Sequence, residues 1–269
     1  MSAPDPLYVR ARAALLDAVV ALGVHSQSVI LVGAQAIYMH TGDASIAVSE
    51  YTTDADFAVS PQELADEPPI SELLEANGFT RRNQPGGWIS PDGIYVDLMV
   101  PEVLAGPGRR GADLGSHGRT VARRAKGLEG ALVDFDVRTI AALDASDDRV
   151  VQLRVAGPSA LLVAKLHKLA ERVGANDRVR DKDALDILRL LQAIETQPLS
   201  DGLRRLLNAE VSGGVTAEAV ALLPSLFGTS DSAGIRLAVR AMGHAADPET
   251  AAASLIVLTN DLLAQMHNS

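Results

Sequence analysis

Residues 29–59 read "VILVGAQAIYMHTGDASIAVSEYTTDADFAV". An apolar run of strand length stops at Gly33, an amphipathic stretch follows, and Asp54 and Asp56 then head a second apolar run. Residues i and i+2 of a strand point to one face, so the two carboxylates project together. Carboxylates that close repel unless a cation sits between them. At the other end, a glycine that closes a strand and opens a helix offers unpaired backbone N–H groups and the positive end of a dipole, a setting for an anion such as phosphate. The stretch reads as the phosphate end and the metal end of one site. A third acid, Asp97, lies mid-strand in "IYVDLMVP". A buried acid there needs a partner, and a metal shared with Asp54 and Asp56 is the economical one. Phosphate bridged to carboxylates through Mg²⁺ suits phosphoryl or nucleotidyl transfer.

The rest of the chain limits what that site uses. It has no cysteine, which removes disulfides and thiolate metal sites and leaves carboxylate or histidine ligands, hence Mg²⁺ or Mn²⁺. With 47% hydrophobic residues among 269 and a mean hydropathy of +0.12, it has the composition of a globular protein with an aliphatic core. No apolar run is long enough to span a bilayer, and the first residues lack the pattern of a signal peptide, so no membrane contact and a cytoplasmic location are expected. The net charge of −10 argues against a non-specific nucleic-acid coat, but residues 104–130 carry Arg109, Arg110, Arg119, Arg123, Arg124 and Lys126 against only Asp113 and Glu129, a local basic patch.

Along the chain, "DPLYVRARAALLDAVVALGV" predicts a helix capped near Asp5 and Pro6, "SVILVG" a buried strand, and "AQAIYMHTG" a short helix closing at Gly42. "DADFAVS" predicts a strand, "PQELADEPPISELLEANGF" a helix, "NQPGGWISPDG" a hairpin, and "IYVDLMVP", "ALVDFDVRTIAAL" and "RVVQLRVAG" further strands. From Pro158 onward the spacing turns helical, beginning with "GPSALLVAKLHKLAER" and "RDKDALDILRLLQAI". The expected class is therefore α+β. A mixed sheet with flanking helices occupies residues 1–157, and a helical domain occupies residues 158–269.

Gly33, the Asp54/Asp56 pair and the strand acid Asp97 together resemble the nucleotidyltransferase fold shared with DNA polymerase β and the kanamycin and lincosamide resistance enzymes. The segment "LLVAKLHKLAERVGANDRVRDKDALDILRLL" is similar to one in the AbiEii/AbiGii-type toxin nucleotidyltransferases, a class that includes toxins modifying the tRNA 3′ end. The resemblance covers residues 25–192. It implies an N-terminal nucleotidyltransferase-like sheet followed by a helical bundle, and transfer of NMP from an NTP to a hydroxyl acceptor, with pyrophosphate released. It implies Asp54, Asp56 and Asp97 as metal ligands, Asp97 also as general base, Lys165 as a triphosphate contact oriented by Asp186, and Lys168, Arg172 and Lys182 as further cations. Gly33 and Ala34 would meet the phosphates. Relatives carry Gly-Ser or Gly-Gly there, so Ala34 leaves the backbone N–H groups to do this alone. Implied partners are tRNA, through residues 104–130, and a cognate antitoxin protein.

Other readings use the same residues. The acceptor would be an aminoglycoside-like small molecule or a protein hydroxyl if the acidic net charge governs recognition, or the chain would be a degenerate nucleotide-binding module if Ala34 has ended catalysis. A glycosyltransferase Asp-x-Asp site normally follows a longer nucleotide-binding half than 53 residues. Plain structural roles also compete: a solvated strand end for Asp54 and Asp56, a snorkelling Lys165, an intrahelical charge network of Asp183 and Asp186 with Lys182 and Arg189, and a solvated glycine-rich loop for the basic segment. His40 and Trp88 carry no assigned role.

Overall fold

A computed structural model describes residues 4–42, 52–172, 179–243 and 247–267. Residues 43–51, between the predicted short helix and Asp54, lie outside them, as do residues 173–178 of the toxin-like segment.

The first helix, α1 (Pro6–Leu22), starts as predicted. The Asp5 carboxylate accepts from the Leu7 N–H at 2.8 Å and Pro6 occupies the first turn, where its missing N–H is harmless. The fully buried strand β1 (Val29–Val32) runs directly into α2 (Gly33–Thr41). After β2 (Asp54–Val59) come α3 (Ile70–Ala76), the short strands β3 (Thr80–Arg81) and β4 (Gly87–Ile89), then β5 (Tyr95–Pro101), β6 (Arg123–Ala125), β7 (Phe135–Ala141) and β8 (Val150–Ala156). The helices α4 (Pro158–Arg172), α5 (Val179–Ala193), α6 (Thr196–Asn208), α7 (Gly213–Phe227), α8 (Ala233–Met242) and α9 (Pro248–His267) complete the chain. The α+β class expected from the sequence is the class observed. Among the described residues no helix is long and apolar enough to cross a membrane.

The eight strands form one mixed sheet in the order β3-β4-β5-β2-β1-β8-β7, with β6 also on β5. β1 pairs antiparallel with β2, and β2 pairs parallel with β5 in a register that sets Asp56 opposite Asp97. One edge of β5 is shared: β4 takes its first half and β6 its second. Gly86 sits at that seam with φ +76°, and a side chain there would run into the Leu98 carbonyl and the Arg123 N–H. The handover of β5 from one partner to the next therefore needs glycine.

Two expectations change. The helix expected from Pro61 begins only at Ile70, because Pro68 and Pro69 interrupt the ladder and force the preceding residues out of the α region. The basic segment is not merely a solvated loop. Part of it is strand β6, and the Arg124 guanidinium donates to the Gly108 carbonyl. Glu129, buried, accepts from the Gly127 N–H at 2.8 Å, which ties down the segment's far end.

The helices reach back to the sheet. α4 and α5 both pack on α2, and the buried apolar cluster runs from Tyr8 to Leu262 without a break at residue 157. That packing carries the cationic side chains of α4 to the mouth of β1 and β2.

Candidate active site

Gly33 begins α2 with φ +72°, a conformation that favours glycine. A Cβ built there would lie 2.9 Å from Cγ of Asp56 and closer still to its Oδ2. The turn's backbone is thus pressed against the carboxylate, through the antiparallel pairing of Val32 with Asp56. Ala34 is buried, with its side chain turned into the core. Asp54, two residues before it, is held by side chains at both its carboxylate and its carbonyl. Thr52 Oγ1 donates to Asp54 Oδ1 at 2.6 Å. Gln35, buried, donates from Nε2 to the Asp54 carbonyl and to the Ala11 carbonyl, each at 3.0 Å, while its Oε1 accepts from Arg12 Nε at 3.1 Å.

Burial raises the pKa of Asp56 from 3.8 to about 6, and the charges of Asp54 and Asp97 push the same way, against Lys168 and Lys165. Asp54 and Asp97 therefore both act on Asp56. The three acids are not a closed cage: among the described residues no three His, Asp or Glu side chains are grouped tightly enough to hold a metal ion. Asp97 turns instead toward Arg82 at 3.8 Å and Arg123 at 3.5 Å, and its buried Oδ1 makes no hydrogen bond. The donor set still suits a hard divalent cation. It consists of carboxylates, with an orphaned oxygen on one and a raised pKa on another that a cation would relieve.

α4 and α5 form the second half of the site. The buried Lys165 ammonium lies 2.8 Å from Asp183 Oδ1 and 2.7 Å from Asp186 Oδ2. Burial alone would lower its pKa, but Asp186 and Asp183 outweigh that and hold it well above the usual lysine range. Burial likewise acts to raise the Asp183 pKa, yet Lys165, Lys168 and Arg172 bring it below the ordinary value. Asp183 meets Arg172 at 2.8 Å and Lys168 at 3.8 Å. Lys182 is half-buried, and burial lowers its pKa in spite of Asp186, Asp54 and Asp56 nearby.

A cleft of about 290 Å³ joins the two halves. Of the predicted residues, Gly33, Asp56, Lys165, Lys168 and Arg172 line it. Asp54, Asp97 and Asp186 act on it through the charges they set on Asp56 and Lys165. Arg109, Arg123, Arg124 and Lys126 of the basic segment line it as well. Sequence reasoning missed Arg82 and Arg123 as partners of Asp97, and treated Asp183 only as part of an intrahelical charge network. The spacing of Asp183 and Asp186, three residues apart on one helix face, is a signal that would have found the second. Of the first pair, Arg123 reaches Asp97 through the pairing of β6 with β5, across more than twenty residues of chain, and Arg82 does so from just past the end of β3.

A family model described as Nucleotidyltransferase matches residues 10–210. No curated protein and no solved structure matches the chain.

Proposed function

This chain belongs to the nucleotidyltransferase family, and on that premise we propose that it moves NMP from an NTP to a hydroxyl of tRNA. The observation that carries the reading is the cleft itself. Its lining brings together the Gly33 turn, Asp56 and four Arg and Lys side chains of the basic segment.

In this reading the first N–H groups of α2, with Lys168 and Arg172, take the phosphates of the NTP. Asp54, Asp56 and Asp97 would hold a Mg²⁺ or Mn²⁺ ion, which supplies Lewis-acid polarisation of the phosphoryl group and eases deprotonation of the acceptor. The acceptor oxygen attacks the α-phosphorus, the bond to the bridging oxygen breaks, and pyrophosphate leaves. The acceptor's proton passes to Asp97. Lys165, Asp183 and Asp186 keep α4 and α5 in register so that Lys168 and Arg172 stay at the cleft. The Gln35 hydrogen bonds hold the start of β2, and with it Asp54.

The basic segment supports an RNA acceptor, since phosphates along a strand need several cations in a row. The toxin role with a cognate antitoxin is supported by the likeness of residues 161–191 alone. Incubation with each labelled NTP, Mg²⁺ and tRNA should label the RNA, and Asp56→Ala should abolish labelling. Labelling that survives this substitution would sink the mechanism, and labelling of a small molecule or protein in place of RNA would replace the acceptor.

A further inference from the structure

Asp97 is the Cα partner of Asp56 in the sheet, but its carboxylate is turned to two guanidiniums. The separations, 3.8 Å to Arg82 and 3.5 Å to Arg123, are longer than a charge-assisted hydrogen bond of about 2.7–2.9 Å. The hold is loose, enough to offset one negative charge beside two others without locking it.

The two arginines differ in their surroundings. Arg82 stacks over the Tyr95 ring at 4.1 Å, which anchors it beside β5. Arg123 stands on β6 and lines the cleft next to Asp56 and Gly33, with its side chain 33% exposed. Its guanidinium therefore faces Asp97 on one side and the open cleft on the other. Four neighbouring cations are held harder: Lys165 by two carboxylates at 2.7–2.8 Å, Arg172 by Asp183 at 2.8 Å, Lys126 by Glu218, and Arg124 by the Gly108 carbonyl; Lys168, 3.8 Å from Asp183, is as loosely held, but by an acid outside the Asp54, Asp56 and Asp97 set.

We propose that Arg123 is a shared ligand, holding Asp97 when nucleotide is absent and passing to the phosphates of a nucleoside triphosphate when one enters the cleft. The inference rests on the nucleotidyltransferase reading. A triphosphate carries more charge than one carboxylate and offers oxygens spaced for a planar fork, so it outcompetes Asp97 for the guanidinium. Asp97 is then released beside Asp56, and the carboxylate set gains negative charge only once substrate is present. Nucleotide binding and cation binding are thereby coupled, each favouring the other.

Two titrations on wild type, Arg123→Met and Arg123→Lys test this. In EDTA, calorimetry with ATP, CTP, GTP, UTP and the matching monophosphates should show Arg123→Met weakening the preferred NTP by about tenfold or more, with the monophosphate changed less than about twofold. Arg123→Lys keeps the charge without the fork and should lie between. Without nucleotide, titration of Mn²⁺ followed by electron paramagnetic resonance should show Arg123→Met binding the ion at least about threefold more tightly, because Asp97 has lost a competing cation. Unchanged NTP affinity in both variants, parallel loss of NTP and monophosphate binding, or Mn²⁺ binding that is unchanged or weaker overturns the proposal. A wild type that binds none of the four NTPs, in EDTA or with Mg²⁺ present, overturns the nucleotidyltransferase reading itself, a separate and distinguishable result.

Discussion

Gly33 and Asp56 are in direct contact: the backbone at the start of α2 leaves no room for a side chain on the face where the Asp56 carboxylate lies, and residue 33 has φ +72°. The turn that would seat a phosphate and the acid that would seat a cation are a single packed unit, 23 residues apart in the chain.

Gly33→Ala should therefore fail twice over. The left-handed backbone costs about 1–3 kcal/mol for a residue with a side chain, and the new methyl pushes Asp56 off its position. The expected outcome is a lowered Tm and at least about a hundredfold loss of NMP transfer. A variant with wild-type melting and turnover would show that the contact has no part in the site.

Asp56→Asn should abolish transfer and stabilise the protein. In the folded chain the Asp56 pKa is about 6 against an ordinary 3.8. A raised acid favours folding in its protonated form, so this stabilisation is complete below about pH 4 and is lost as pH rises through 6. Relative to the asparagine variant, the wild type should lose up to about 3 kcal/mol over that window. Urea melts of both proteins at pH 4 and pH 8 check it: the gap should widen at the higher pH, and an equal gap at both would refute the burial and repulsion argument.

Lys165→Met should destabilise the fold by about 3 kcal/mol or more, since it leaves the buried Asp186 without the cation it meets and Asp183 with only Arg172 and Lys168. Lys165→Met combined with Asp183→Asn and Asp186→Asn should recover part of that loss. Denaturant melts of the single and triple variants measure it. If the triple variant is no more stable than the single, the ion cluster is not what holds α4 to α5.

Removing divalent ions with EDTA should stop transfer, and Mg²⁺ or Mn²⁺ should restore it. Independently of activity, millimolar Mn²⁺ should raise the Tm of wild type and leave Asp56→Asn nearly unmoved, because a ligand bound only by the folded state stabilises it by mass action. A shift of equal size in both proteins would place the ion elsewhere.

Arg109→Ala with Arg110→Ala should raise the KM for RNA about tenfold while leaving NTP affinity within about threefold, and should flatten the salt dependence of RNA binding. Steady-state kinetics at two salt concentrations separate this from a general loss of activity. Equal effects on both substrates would assign these arginines to the nucleotide.

The sequence alone determined the local features. The strand and helix periods, the glycine that ends β1, the i and i+2 placement of Asp54 and Asp56, and the change to helices at Pro158 all follow from near neighbours along the chain. Hence the α+β class was legible, and Asp54, Asp56 and Asp97 could be singled out as candidates. The extent of the helix before Phe79 was misread because two prolines outweighed a favourable apolar spacing. Only the tertiary structure decided which residues meet. It paired Asp97 with Asp56 across parallel strands, gave β5 a second partner that brings Arg123 beside Asp97, and drew Lys165 between Asp183 and Asp186. Such contacts join distant parts of the chain, and register is set by the cooperative burial of whole faces of sheet and helix, which no local pattern encodes.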